Sequence, residues 1–192
     1  LHLTNAFSAK AGGGVFEVVS NLVSNQKEDH LDPNIWHSGK CEMAIRNTQN
    51  IRQLKYFGKG KLVLLKDIFY KKSRELYQFD IIHQHGIWLT NSLLTIQLRK
   101  KYRIPTIIQP HGYLEPYALT MSRIKKKIVW TLFEKSNLKN ADVLLACSTK
   151  EAINLRKLFP YKSIAIIPNG ISKEFFSAKS SVKQTSCVNV SI

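Results

Sequence analysis

Histidine and glycine gather at a few places in this chain. Three consecutive glycines stand at Gly12, Gly13 and Gly14, and HQHG runs from His83 to Gly86. HG occupies His111 and Gly112, with Glu115 just beyond, and NG occupies Asn169 and Gly170. Glycine lets backbone N–H groups come close to oxygen atoms, and a neutral imidazole donates one hydrogen bond while accepting another near neutral pH. Together these are the groups a site for phosphate and sugar needs. Each also has a plainer reading. A histidine is often a satisfied structural residue, PNG at 168–170 makes a turn in any protein, and GGG serves a tight strand-to-helix turn as well as a bound anion. His83 and His85 share one face of an extended segment. His83 is expected to pack under the cover of a sheet, and His85 and His111 are expected to meet a ligand.

The elements that must position these residues alternate along the chain. LHLT reads as a strand and NAFSAKAGGG as the loop after it. The helix that follows carries Val15, Val18, Val19, Leu22 and Val23 on one face. Its first-turn N–H groups face back into the glycines and favour an anion there. NIWHSG is a second strand and RQLKYF a third, followed by a helix over residues 62–77. FDIIHQHG, IPTIIQPHG, DVLLACS and SIAIIPNG are further strands, with helices over residues 89–102, 119–139 and 150–159. This alternation predicts an α/β fold, a doubly wound parallel sheet covered on both faces. Ligands of such sheets bind beyond the carboxyl ends of the strands, where the glycines, His85, His111, Ser148 and Asn169 fall.

Composition sets the outer limits. The chain has 192 residues, 44% of them hydrophobic and 22% charged, enough to bury about 70% of the unfolded surface as a globular domain. Lys and Arg number 29 against 13 Asp and Glu, a net charge of +16, so a polyanionic neighbour is expected. Cys41, Cys147 and Cys187 form no CxxC pair, which predicts reduced thiols and a cytoplasmic setting. No apolar run approaches the roughly 20 residues that span a bilayer, and no secretory signal is evident. A nicotinamide site would want G-x-G-x-x-G and an acid after the second strand; the chain has GGG and NIWHSGK instead. Zinc spacing and RRM-type aromatic motifs are also missing, so no nucleic-acid partner is expected. The opening LHLT reads as a strand already under way, and the Ser-rich residues 177–192 read as a linker or truncated tail.

Taken in order, the GGG segment, DIIHQHGIW, PTIIQPHGYLEPYAL, KKKIVWTLFEKSNLKNADVLLACSTKEAINLRKLF and IAIIPNGI resemble the amino-terminal half of glycosyltransferase family 4, the retaining GT-B class. The likeness is greatest to bacterial members that build surface polysaccharide, and it covers residues 1–176. It implies a Rossmann-like domain that holds the acceptor across a cleft from a donor-binding half. That half is expected outside this chain, which alone is then inactive. It implies a UDP- or GDP-linked nucleotide-sugar donor as substrate, with no cofactor and no required divalent metal, and a glycan or polyprenyl-linked acceptor. His111 matches a histidine that contacts the donor sugar near the reaction centre, and is the catalytic candidate. Gly12, Gly13, Gly14, His85, Gly112, Glu115 and Asn169 are the substrate-binding candidates. A non-catalytic pseudo-enzyme or partner subunit of the same fold is the alternative.

The segment 119–139 sets Arg123, Lys126, Lys127 and Lys135 beside Ile124, Ile128, Trp130, Leu132 and Phe133. That is the pattern of a helix at an anionic membrane surface, here the inner face, and equally of a helix packed on a sheet with wet lysines.

Overall fold

The structure, a computed structural model, describes residues 1–5, 9–38, 51–53, 56–57, 64–65, 79–88 and 90–170. Its strands are β1 (His2–Thr4), β2 (Ile35–His37), β3 (Ile51–Gln53), β4 (Tyr56–Phe57), β5 (Leu64–Leu65), β6 (Ile82–His85), β7 (Thr106–Gln109), β8 (Val143–Ala146) and β9 (Ile164–Ile166). The helices are α1 (Ala9–Glu28), α2 (Thr90–Tyr102), α3 (Pro116–Thr120), α4 (Arg123–Val129), α5 (Lys135–Lys139) and α6 (Thr149–Leu158), with a π turn over Trp130–Glu134. Among the described residues seven strands form one sheet in the order β3-β2-β1-β6-β7-β8-β9, parallel throughout. This is the Rossmann-like α/β sheet that the alternation predicts.

Period-two alternation decides what each strand shows to each face. Leu1, Leu3, Trp36 and Ile82 pack with Leu94 and Leu98 of α2. On the opposite face Ile35 packs with Phe16, Val19 and Val23 of α1. Burying each of those α1 side chains stabilises the fold by about 1.5–3 kcal/mol. A third cluster, with Ile108, Leu138, Leu144 and Leu155 at its centre, joins β7 and β8 to α5 and α6. His2 lies opposite His83 in the register of β1 on β6. His2 bonds Gln26 of α1, whereas Gln84 bonds Ser92 of α2. The histidines of β1 and β6 thus share the α1 face.

Four expectations need correction. The glycines do not precede the first helix. Helical backbone begins at Ala9 and is broken inside the triplet, at Gly13 (φ 51, ψ −138). No L side chain adopts those angles readily, so the break sits where only glycine tolerates it. RQLKYF is not one strand: β3 joins the main sheet, while β4 pairs antiparallel with β5 in a separate ribbon. β5 falls within the helix expected over residues 62–77, most of which lies outside the described residues. Residues 119–139 are not one helix either. Met121 is extended (ψ 127) and Ser122 left-handed (φ 54), which separates α3 from α4. Lys126 Nζ donates to the carbonyl of Ala118 at the end of α3, a cation where a helix leaves carbonyls unpaired. The expected tail, 177–192, lies outside the described residues.

Candidate functional site at the switch point of the sheet

The chain runs outward from β1 to β2 and β3 on one side, and from β6 to β9 on the other. Strand order therefore reverses between β1 and β6, and the crevice beyond their carboxyl ends is where such sheets bind ligands. Asn5 follows β1 there, and Gly86 follows β6. Gly86 takes left-handed backbone (φ 77) that a side chain would strain, and a Cβ would crowd the Tyr113 ring at 3.1 Å, with Asn5 Nδ2 in contact at 3.6 Å. Its carbonyl accepts from Gln84 Nε2 at 2.8 Å and its N–H donates to the Gln109 carbonyl at 2.8 Å.

His111 stands at the end of β7 in left-handed backbone (φ 55), and Gly112 follows with φ 76. A non-glycine residue held there is strained by roughly 1–3 kcal/mol, and such strain survives where surrounding bonds over-determine it. The bonds are visible. Glu151, 3% exposed, accepts from the Gly112 N–H at 2.7 Å through Oε1 and from the Cys147 N–H at 2.8 Å through Oε2. Ser148, the N-cap of α6, accepts from the Glu151 N–H at 3.2 Å. Cys147 Sγ donates to Glu151 at 3.0 Å, and burial together with that carboxylate pushes its thiol up to about 11. Glu115 reaches α6 as well: Asn154 donates to Oε1 at 2.9 Å, and Lys150 Nζ lies 3.6 Å from Oε2.

Behind His111 runs a row of imidazoles. His111 Nε2 lies 3.1 Å from His85 Nδ1, His85 Nε2 lies 3.0 Å from His2 Nδ1, and His2 Nε2 lies 2.8 Å from Gln26 Oε1. His83 stands beside the row, its ring centroid 4.0 Å from that of His85 and its Nε2 buried with no hydrogen-bond partner among the described residues. Burial pushes His2 and His111 down to about 4, His83 to about 3 and His85 well below the ordinary value. All four are neutral near neutral pH. His2, His83 and His85 hold nitrogens within 4.8 Å of one another, a group able to take a metal ion.

The predicted site residues are thus divided by the fold. His85 is 1% exposed and spends both ring nitrogens on histidines, so its route to a ligand runs through the partly exposed His111. Gly112 and Glu115 are tied to α6 beside His111. Asn169 accepts from Gln109 Nε2 at 3.3 Å at the end of the next-but-one strand. Gly13 and Gly14 face open space, with nothing within 4 Å of an added Cβ; Gly12 lies in the helical stretch before the break.

Two acids escaped the sequence reading. Glu151 had a signal: S-T-K-E at 148–151 is a capping-box pattern. Glu134 had a fainter one, as the only acid between Arg123 and Lys139. Fully buried, it accepts from the Trp88 N–H and Ser92 Oγ, each at 2.9 Å, and burial pushes its carboxyl up. It fixes the loop after β6 from the α2 side.

Beside this turn, Trp88, Leu114, Leu119 and Trp130 line an apolar groove of about 620 Å³ whose rim carries Arg123, Lys126 and Lys127. Along α4 and the π turn, Ile124, Ile128 and Leu132 form a stripe that is 78%, 51% and 68% exposed, whereas Val129 is buried. Among the described residues no helix is long and apolar enough to cross a membrane.

No curated protein matches the chain. The family profile described as Glycosyltransferase Family 4 matches residues 12–175, from the glycine triplet through all the elements that build the histidine turn. The chain belongs to glycosyltransferase family 4.

Proposed function

We propose that this chain is the acceptor-binding half of a retaining sugar transferase of GT-B type. It takes a UDP- or GDP-linked donor and a glycan or polyprenyl-linked acceptor in surface-polysaccharide synthesis. One observation carries the reading: within the family match, the strained His111–Gly112 turn stands at the carboxyl end of β7, beside the switch point, with its imidazole partly exposed. His111 contacts the donor sugar at the reaction centre, Gly112 and Glu115 shape the turn, and Gly12–Gly14 with Asn169 border the donor phosphates and sugar. The helix is interrupted at Gly13, and backbone N–H groups freed at such a break would favour a diphosphate. The apolar groove with its basic rim suits the lipid part of a polyprenyl-linked acceptor, and the exposed Ile124–Ile128–Leu132 stripe suits a peripheral position on the inner face of a membrane.

The test is transfer of labelled sugar from a panel of UDP- and GDP-sugars to polyprenyl-linked acceptors by the full-length gene product, with the anomeric configuration of the product determined. His111→Ala should lower kcat on the order of a hundredfold while changing acceptor KM far less, the loss of a contact to the donor sugar that tightens in the transition state. Turnover close to the parent's would remove His111 from the reaction. If the full-length product transfers from no donor, the enzymatic reading gives way to a partner-subunit role.

A further inference from the structure

Each neutral imidazole carries one proton, so one ring nitrogen donates and the other accepts. Two rings joined nitrogen to nitrogen must therefore agree on which gives the proton. In this structure three rings are joined in that way. The centroids of His2 and His85 are 5.3 Å apart and inclined by 26°, and those of His85 and His111 are 5.4 Å apart and inclined by 23°. With nitrogens 3.0 and 3.1 Å apart, the rings meet edge to edge in nearly one plane. Such a row has two self-consistent states, with every proton on Nε2 or every proton on Nδ1.

The far end chooses between them. Gln26 of α1 turns its Oε1 toward His2 Nε2 at 2.8 Å, and a carbonyl oxygen only accepts. His2 then holds its proton on Nε2 and offers Nδ1 as an acceptor. His85 must donate to it from Nε2, which leaves His85 Nδ1 to accept from His111 Nε2. The end of the row is a bare Nδ1 on His111, which makes no hydrogen bond among the described residues. We infer that Gln26 sets the tautomer of His2, His85 and His111 in series, so that His111 meets its ligand as a hydrogen-bond acceptor for a hydroxyl group.

The consequence is specific. A neutral His111 in this state cannot donate to a developing oxyanion; it orients a substrate hydroxyl, which is chemistry that a sugar supplies. Gln26 is then a positioning residue, acting on the turn after β7 from a helix on the face of the sheet. That His111 faces substrate rests on the transferase reading above. The tautomer itself does not, because it is a property of the chain without substrate.

The experiment is a set of long-range nitrogen–proton correlation spectra of the histidine rings in the isotope-labelled chain near neutral pH. The expected result is a proton on Nε2 of His2, His85 and His111, with Nδ1 of His111 unprotonated. Gln26→Leu removes the anchor and should move the His111 tautomer ratio toward Nδ1–H by up to about tenfold, the worth of one hydrogen bond. Gln26→Glu, which keeps an acceptor, should restore the parent pattern. A proton on Nδ1 of His111 in the parent chain, as the reversed Gln26 amide would impose, overturns the inference without recourse to any variant. A parent pattern unchanged in Gln26→Leu overturns the role of Gln26. Loss of sugar transfer with these spectra intact would count against the enzymatic reading alone.

Discussion

Glu151 joins two loops from the first turn of one helix. Its carboxylate receives the Gly112 and Cys147 N–H groups, and removing it leaves two backbone donors part-buried and unpaired. Glu151→Ala should therefore lower unfolding stability by about 3 kcal/mol in urea titrations, from an orphan cost of about 1–3 kcal/mol per donor. Glu151→Gln keeps one acceptor oxygen and should lose roughly half as much. Equal, small losses in both variants would mean that the left-handed turn at His111 is held by other contacts. The same carboxylate lies close enough to His111 to favour its protonated form, against the larger effect of burial. His111 is thus held neutral by the protein's interior while a single acid fixes the backbone that presents it.

Among the elements, α1 offers the sharpest comparison, because two adjacent glycines have opposite needs. Gly13 sits at φ 51, ψ −138, whereas Gly14 continues a helix, and at neither would an added Cβ meet an atom within 4 Å. Gly13→Ala should destabilise by about 1–3 kcal/mol through backbone strain, and Gly14→Ala should stabilise by up to about 1 kcal/mol through helix propensity. Thermal unfolding of the pair gives the signs directly, and a stabilised Gly13→Ala would refute the kink. The segment from α3 to α5 is the other informative element. Its hydrophobic residues divide, with Val129 turned inward and Ile124, Ile128 and Leu132 turned out among basic side chains. Co-sedimentation should show binding to anionic vesicles that weakens with salt, each lysine or arginine near the surface contributing about 1 kcal/mol. Replacing Ile124 and Leu132 by Ser should weaken it further. Binding to neutral vesicles that ignores salt would rule out the electrostatic part.

For the whole molecule, the histidine row couples folding to pH. His2 and His83 titrate at about 4 and about 3 in the folded chain, below their ordinary 6.5, because burial disfavours the charged ring. The unfolded chain takes up protons first as pH falls. Stability should therefore be full above about pH 6.5 and decline as pH drops toward about 4, by up to about 1.4 kcal/mol per pH unit for each of the two. Glu134, whose carboxyl burial pushes up, works in the opposite sense. Urea midpoints measured across this range give the slope, and His83→Gln should remove about one proton from the uptake on unfolding. A flat profile would mean that these rings are solvated in the folded state.

Local rules reach a few residues, and over that range the sequence by itself determined a good deal. Alternating strands and helices, the helix face with Val19 and Val23, and the common face of His83 and His85 all follow from periodicity of two or 3.6 residues. The ends of β6, β7 and β9 were likewise marked by their histidine and glycine residues. What only the tertiary structure decided concerns partners far apart in the chain. His2 and His85 are 83 residues apart, and they meet because β1 lies between β2 and β6 in a register that sets His2 against His83. No local pattern encodes strand order, so His2 could not be recognised as part of the site. The break at Ser122 was equally hidden, since serine tolerates a helix and no glycine or proline marks the left-handed turn there. Glu134 and Glu151 carried local signals, yet their acceptor roles depend on loops 46 and 39 residues away. A buried carboxylate must find donors wherever the fold brings them, and that search is settled only when the sheet and its covering helices have closed.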